Sequence, residues 1–240
     1  LYAKHMTNES ENNKQEFLFS LNDAVKIDID VDALNSYKEE LNALLSEYAN
    51  IVNPLIVEYE VEKNEFPIEM LNEIRAIVGH IVRATATKDD KEISENIRKA
   101  HSHVKRATLD GYKYLCVIYD ERYWDFFARY DTVDWVDSGL QEDVHSINEN
   151  RRKAVELLRK AKNSEGVEND SQRLSLSAKD HYESMVTLSK MYKRAYNEYR
   201  ALFQMLYLLD EKMATLAKQK KLITKRKYGL LSIFGRANDR

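Results

Sequence analysis

The sequence predicts an all-α protein, built as an elongated antiparallel bundle of long helices with coiled-coil packing. Its 240 residues include only two prolines and six glycines, so the residues that usually end helices are scarce. Charged residues make up 32% of the chain, a share typical of long helices with solvated faces. Several stretches place apolar residues at helical spacing, and no strand pattern competes with them.

The first long helix is predicted at about 32–62, where apolar residues follow helical spacing. Pro54 falls inside this pattern. It should kink or break the helix near Asn53, because proline lacks an amide hydrogen and crowds the preceding turn. Pro67 suits the first position of the next helix, which should run to about Thr85 with Ile68 on its inward face.

A very long helix is predicted to follow Thr87, which forms a capping-box pattern with Asp90. Its apolar residues alternate steps of four and three from Ile93 to Ile118, which predicts a long packing stripe. Small residues in this stripe would let a neighbouring helix approach closely. They are Ala100, Ala107 and Gly111.

Aromatic residues crowd positions 112–135. Their helical spacing indicates core packing at a bundle end, and the alternative is a surface that stacks bases or lines a ligand pocket. Residues 131–139 read as a loop. Ser138 and Gln141 form a second capping-box pattern, which predicts a helix at about 140–163.

The last helix carries the strongest pattern of the chain. From Leu174 to Ile223 apolar residues recur every 3.5 residues or so, the period of a coiled-coil seam, without an intervening glycine or proline. Such a helix is roughly 75 Å long, so it needs other long helices, from this chain or from a second copy. The seam residues expected to pack are Leu188, Tyr192, Tyr199, Leu202, Leu206, Leu209, Met213 and Leu216.

These patterns divide the chain into five segments. The N-terminus is expected to be disordered, with a possible cloning remnant at residues 1–5, and Gly229 is expected to end the last helix. The segments are a disordered N-terminus (1–16), a helical bundle (17–163), a linker loop (164–171), a long coiled-coil helix that packs on the bundle (172–228) and a tail (229–240).

Charge is unevenly distributed, although the net charge is only −3. Residues 1–70 hold 15 acids and 5 bases, whereas residues 171–240 hold 15 bases and 6 acids. Either the acidic helices pack beside the basic one, or the basic end meets an external acidic surface, nucleic acid or anionic lipid. The candidate partner-binding residues are Lys218, Lys220, Lys221, Lys225, Arg226 and Lys227.

Cys116 is the only cysteine, which fits a reducing compartment and excludes an intrachain disulfide. No signal peptide or apolar stretch long enough for a transmembrane segment is found, so we expect a cytoplasmic protein. The sequence contains no motif for a cofactor or a metal, and neither is predicted.

One short string suggests catalysis. Arg98 and His103 form an Arg-x4-His pattern on the second long helix. The string resembles the motif of HEPN ribonucleases, small all-α proteins that usually dimerise to form their site. The resemblance implies that Arg98 stabilises a phosphorane and that His103 acts as general acid or base. The alternative is a charged flank on a packed helix.

The leading hypothesis is an intracellular helical scaffold that self-associates as a homodimer or binds another helical protein, with its basic end directed to an acidic surface. It is not expected to be an enzyme. The two alternatives are a HEPN-like ribonuclease and a helical bundle that binds anionic membrane surfaces.

Overall fold

A computed structural model describes residues 35–166 and 178–234, with side chains described for 35–165 and 182–221. The predicted all-α fold is confirmed: these residues form helices and connecting turns, and none of them lies in a β-strand. A π-helical turn, Tyr48–Val52, joins the first two helices. The α-helices are α1 (Lys38–Glu47), α2 (Asn53–Lys63), α3 (Ile68–Thr85), α4 (Asp90–Arg129), α5 (Gln141–Gly166) and α6 (Ala178–Phe234).

Successive helices from α2 to α6 alternate in direction. Helices α4 and α5 run antiparallel, as do α5 and α6, so α4 and α6 run parallel. Two contacts between α4 and α6 show the parallel direction. The ammonium of Lys113 lies 5.3 Å from the centre of the Tyr192 ring, and further along both helices the Tyr130 hydroxyl donates to Asp210 at 2.6 Å. The predicted stripes of α4 and α6 therefore face each other in parallel.

Pro54 does not break the first helix. The chain stays helical through Tyr48–Val52, but it widens into a π turn, in which the Asn53 amide donates to the carbonyl of Tyr48. A wider turn accommodates the proline ring and the amide hydrogen that proline lacks. The predicted break is therefore wrong, and a local change of helix type takes its place.

Helix α4 forms the centre of the molecule, because α1, α2, α3 and α6 all pack against it. Its N-terminus is capped by Asp89, whose side chain accepts from the Lys91 amide, so the predicted cap at Thr87 is wrong. Thr87 instead accepts from the Asp89 amide and orients the capping residue. Almost the whole predicted stripe from Ile93 to Ile118 is buried.

The bounds of the last two helices differ from the prediction. Helix α5 continues to Gly166, into the predicted linker, and the rest of that linker lies outside the described residues. Helix α6 passes through Gly229 to Phe234, so this glycine does not end it. Glycine costs a helix only about 1 kcal/mol, and it ends the helix only where the backbone turns left-handed.

Candidate functional site

The seam of α6 packs into the core of the bundle, and its burial declines towards the C-terminal end. Most of the predicted seam is buried against α4 and α5, whereas Met213 and Leu216 are only partly buried. The left-handed supercoil implied by the seam remains a prediction. The buried seam residues are Leu188, Tyr192, Tyr199, Leu202, Leu206 and Leu209.

Three tyrosines of α6 each donate a hydrogen bond to a carboxylate on a different helix. The acceptors lie on α5, α2 and α4, so these bonds join α6 to all three neighbours. Sequence periodicity showed Tyr192 and Tyr199 as apolar seam residues, but it revealed neither Tyr196 nor the hydrogen bonds that the three hydroxyls make. The pairs are Tyr192–Glu165 (2.7 Å), Tyr196–Glu58 (2.7 Å) and Tyr199–Asp120 (3.3 Å).

The environment of these tyrosines keeps them protonated. Burial raises the pKa of Tyr192, Tyr196 and Tyr199, and the facing carboxylates raise it further because they disfavour a second negative charge. The hydroxyls therefore remain donors at neutral pH, and the three pairs are structural bonds between helices rather than a set of reactive phenolates.

We call the six predicted cationic residues near the C-terminus the basic end of α6. Of these, Lys218, Lys220 and Lys221 are exposed. The other three lie on the helical backbone of α6, but their side chains fall outside the described residues. They are Lys225, Arg226 and Lys227.

The basic end extends beyond the helices that flank the rest of α6. Helix α4 ends at Arg129, which contacts Asp210, and Asp143 near the start of α5 contacts Lys212 at 2.8 Å. The α6 backbone continues from Gln219 to Phe234, about 15 residues or 22 Å. Because α5 runs back in the opposite direction, this stretch projects past the ends of α4 and α5.

The acidic helices do not lie beside the basic end. Helix α2 meets α6 through Glu58, which accepts from Tyr196 and lies 3.7 Å from Arg200. Helix α2 then ends at Lys63, while the basic end begins 18 residues of α6 beyond Arg200, roughly 27 Å away along the helix axis. Within the described residues, the acidic helix α2 therefore packs beside the basic helix α6, as the first explanation of the charge asymmetry expects, but it does not reach the basic end.

A groove of about 610 Å³ lies between the start of α5 and α6, just before the basic end. Its floor is apolar, and the Lys212–Asp143 ion pair connects its two helices. The contact between α5 and α6 ends at this groove. Its apolar lining residues are Leu140, Ile147, Met205, Leu208, Leu209 and Leu216.

Arg98 and His103 face different neighbours within one chain. Arg98 is exposed and lines a cleft with Tyr37. His103 is half-buried against α3, where it bonds to Glu73 and stacks on His80, with ring centroids 5.2 Å apart. The structure therefore does not bring the two predicted catalytic side chains into one site.

The histidine pair also differs from a poised acid–base pair. Burial lowers the pKa of His80, and the positive charge of Arg83 lowers it further, so its ring is neutral at neutral pH. His103 has a carboxylate partner, Glu73, that Arg106 also approaches at 3.8 Å. This polar strip joins α3 to α4 and, within the described residues, faces no enclosed cavity next to Arg98.

A surface that the sequence did not reveal lies at the turn between α2 and α3. We call residues 57–71 the α2–α3 corner. Val61, Phe66 and Ile68 are 75%, 68% and 65% exposed there, although the neighbouring Pro67 is buried. Helical spacing assigned Ile68 to the core. Periodicity shows which face of a helix is apolar, but it does not show whether a neighbouring helix covers that face.

The aromatic residues at 112–135 mostly form core. Tyr112, Tyr119 and Phe126 are buried, and their rings pack against further aromatic rings of α4 and α6. Trp124 is the exposed exception, and the guanidinium of Arg151 covers one of its faces at 4.6 Å. The prediction of core packing is confirmed for the three buried members.

Two further features are absent from the described part of the chain. No helix there is long and apolar enough to cross a membrane. No group of three or more His, Cys, Asp or Glu side chains is placed there to hold a metal ion.

Comparison with known proteins gives no relative: no protein-family model, no curated protein and no solved structure matches this chain.

Proposed function

We propose that this chain is a cytoplasmic interaction scaffold, in which the helical bundle holds out the basic end of α6 to bind an acidic, partly apolar protein surface. The observation that carries the proposal is the extent of α6, whose backbone continues past the ends of α4 and α5. Because most helical stability in proteins comes from packing of an apolar face, packing on a partner would stabilise this stretch.

The residues of this stretch suit a protein partner. Its cations alternate with apolar residues, among them Leu222, Ile223, Leu230 and Leu231. A polyanion would pair with the cations but leave the apolar residues exposed to water. A helical partner with acidic residues around an apolar face would contact both the cations and the apolar residues. A single free cysteine, Cys116, fits a reducing compartment. Burial raises its pKa to about 12, so the thiol is unreactive.

The test is the effect of removing the projecting stretch. A variant truncated after Ala217 keeps the side chains from Tyr182 to Leu216 that pack in the bundle. Mass from light scattering is measured for the full chain and the truncated chain over a concentration series, at low and high salt. We expect the full chain to associate in a salt-dependent manner and the truncated chain to stay monomeric.

Two acidic probes complete the design. Single-stranded DNA and phosphatidylserine vesicles are each titrated with the full chain and with a control, Lys190→Glu with Lys193→Glu. The control reverses two exposed charges of α6 inside the bundle. Strong binding to either probe that weakens with salt, without self-association, would favour that partner and contradict the protein-binding proposal, as would a full chain that stays monomeric and binds nothing.

A further inference from the structure

The α2–α3 corner is an ordered platform with exposed apolar side chains. Asn64 ends α2 in the left-handed conformation, and its amide donates to the carbonyl of Glu60 at 2.8 Å. Pro67 is buried, and the Tyr114 ring of α4 packs edge-on against Tyr59, 6.0 Å away. The exposure of Phe66 therefore occurs on a fixed turn and marks an interaction surface.

Acidic residues surround these apolar side chains. Residues 60–69 contain four glutamates and a single base, Lys63, which contacts Glu121 of α4. Glu65 and Glu69 are exposed next to Phe66 and Ile68. The corner is thus apolar with an acidic rim, whereas the end of α6 contains apolar residues among cations. The two surfaces are complementary in charge and similar in their apolar content.

The corner and the basic end cannot meet within one chain. Both belong to helices fixed in the same bundle, and Lys63 closes α2 near the level of Arg200. The basic end starts about 27 Å further along α6 and runs away from the corner. Two basic ends also cannot pair with each other at low salt, because each carries six cations within ten residues.

We propose that the basic end of α6 in one copy binds the α2–α3 corner of a second copy. This inference rests on the proposed function and names the partner as the chain itself. The contact joins two different surfaces, so two copies can exchange it reciprocally in a two-fold dimer, or successive copies can extend it head to tail.

A charge exchange between two variants tests the contact. The end variant carries glutamate in place of all six cations of the basic end, and the corner variant carries Glu65→Lys and Glu69→Lys. Each variant alone places like charges at the contact, so we expect the dissociation constant to rise about tenfold or more for either one. An equimolar mixture restores opposite charges at the contact, so association returns. Sedimentation velocity at low and high salt measures all three samples.

The outcomes separate this inference from the proposed function. If truncation after Ala217 abolishes association but the corner variant associates like the wild type, the scaffold proposal stands and the corner is wrong. A mixture that stays monomeric also overturns the corner. If the end variant associates more tightly with the wild type than the wild type does with itself, the two ends pair with each other and the inference fails.

Disulfide trapping gives a second readout that does not depend on charge. Phe66→Cys in one copy and Lys218→Cys in another place one reactive thiol at each proposed surface, and the buried Cys116 does not compete. We expect a mixed disulfide between the two variants under mild oxidation. The matched control is Lys91→Cys, an exposed position at the far end of α4. Equal trapping with Lys91→Cys, or no mixed disulfide, would contradict the proposal.

Discussion

The two long helices, α4 and α6, carry similar apolar stripes but have different surroundings. Helix α4 has a neighbour along most of its 40 residues, because α3 covers its first half and α6 runs beside its second. Helix α6 has 57 residues and continues past the ends of α4 and α5. A stripe shows that a helix needs partners, whereas the lengths of the neighbouring helices decide how much of the stripe they cover.

Two leucines in the seam of α6 differ in how deeply they are buried. Leu202 is fully buried, whereas Leu216 is partly buried near the end of the bundle. Leu202→Ala should lower the free energy of unfolding by about 2–5 kcal/mol, and Leu216→Ala by less than about 1 kcal/mol. Denaturant unfolding measures both. Equal losses would mean that the stability of the core extends to the end of α6.

A second comparison tests the close packing around α4. A Cβ added at Gly111 would lie 2.9 Å from Met70 and 3.0 Å from Leu55, so both neighbours must move. Gly111→Ala should cost about 1–3 kcal/mol of stability. Gly79→Ala in α3 is the matched control, because the added Cβ meets only the flexible Arg83 side chain at 3.5 Å.

The control substitution should move stability in the opposite direction. Alanine is the better helix former, so Gly79→Ala should stabilise the protein by about 0.5–1 kcal/mol. Thermal unfolding of the two variants and the wild type shows the difference. Two variants that shift the midpoint equally would contradict the tight contact of α4 with α2 and α3.

Asp110 adds a pH dependence to α4. Burial, together with the nearby charges of Glu73 and Glu165, raises the pKa of Asp110 to about 6, although Lys113 acts in the opposite direction. Between pH 4 and 6 the folded state therefore binds more protons than the unfolded state, and the free energy of unfolding falls as pH rises.

Replacing this carboxyl with an amide removes the unfavourable charge. Asp110→Asn should stabilise the protein by about 1–2 kcal/mol at pH 7.5, a figure reduced for partial solvent screening, with no gain below about pH 4. Unfolding curves at both pH values provide the measurement. A loss of stability at pH 7.5 would mean that the attraction to Lys113 outweighs the burial of the charge.

The sequence predicted the helices well because the apolar stripe that reveals the helical period is also the face that packs in the core. Ile93 and Tyr192 were assigned to the core by spacing alone, and both are fully buried. The parallel arrangement of α4 and α6 was not predictable in the same way, because an apolar stripe has no direction. Direction follows from the number of reversals in the chain, and it becomes visible only through pairs such as Tyr130 and Asp210.

Functional residues were harder to predict than helices. The pairing of Arg98 with His103 depended on a short string, and a step of five residues on a helix turns the two side chains to different neighbours. The exposed corner at Phe66 was missed because its signal is the absence of a neighbouring helix. Local sequence does not encode that absence, since it depends on where α2 ends and α3 begins relative to α4.

The smallest effect on stability is expected at the basic end, where the α6 backbone continues past the ends of α4 and α5. Truncation after Ala217 removes the basic end but leaves the buried seam up to Leu209 and the partly buried Leu216 in place. At low protein concentration, where copies are not associated, the unfolding midpoint should shift by no more than about 2 °C. At high concentration the full chain should gain stability relative to the truncated chain, because binding to the folded state stabilises it. A large shift at low concentration would mean that the end of α6 packs on its own chain, and the difference between the two long helices would then disappear.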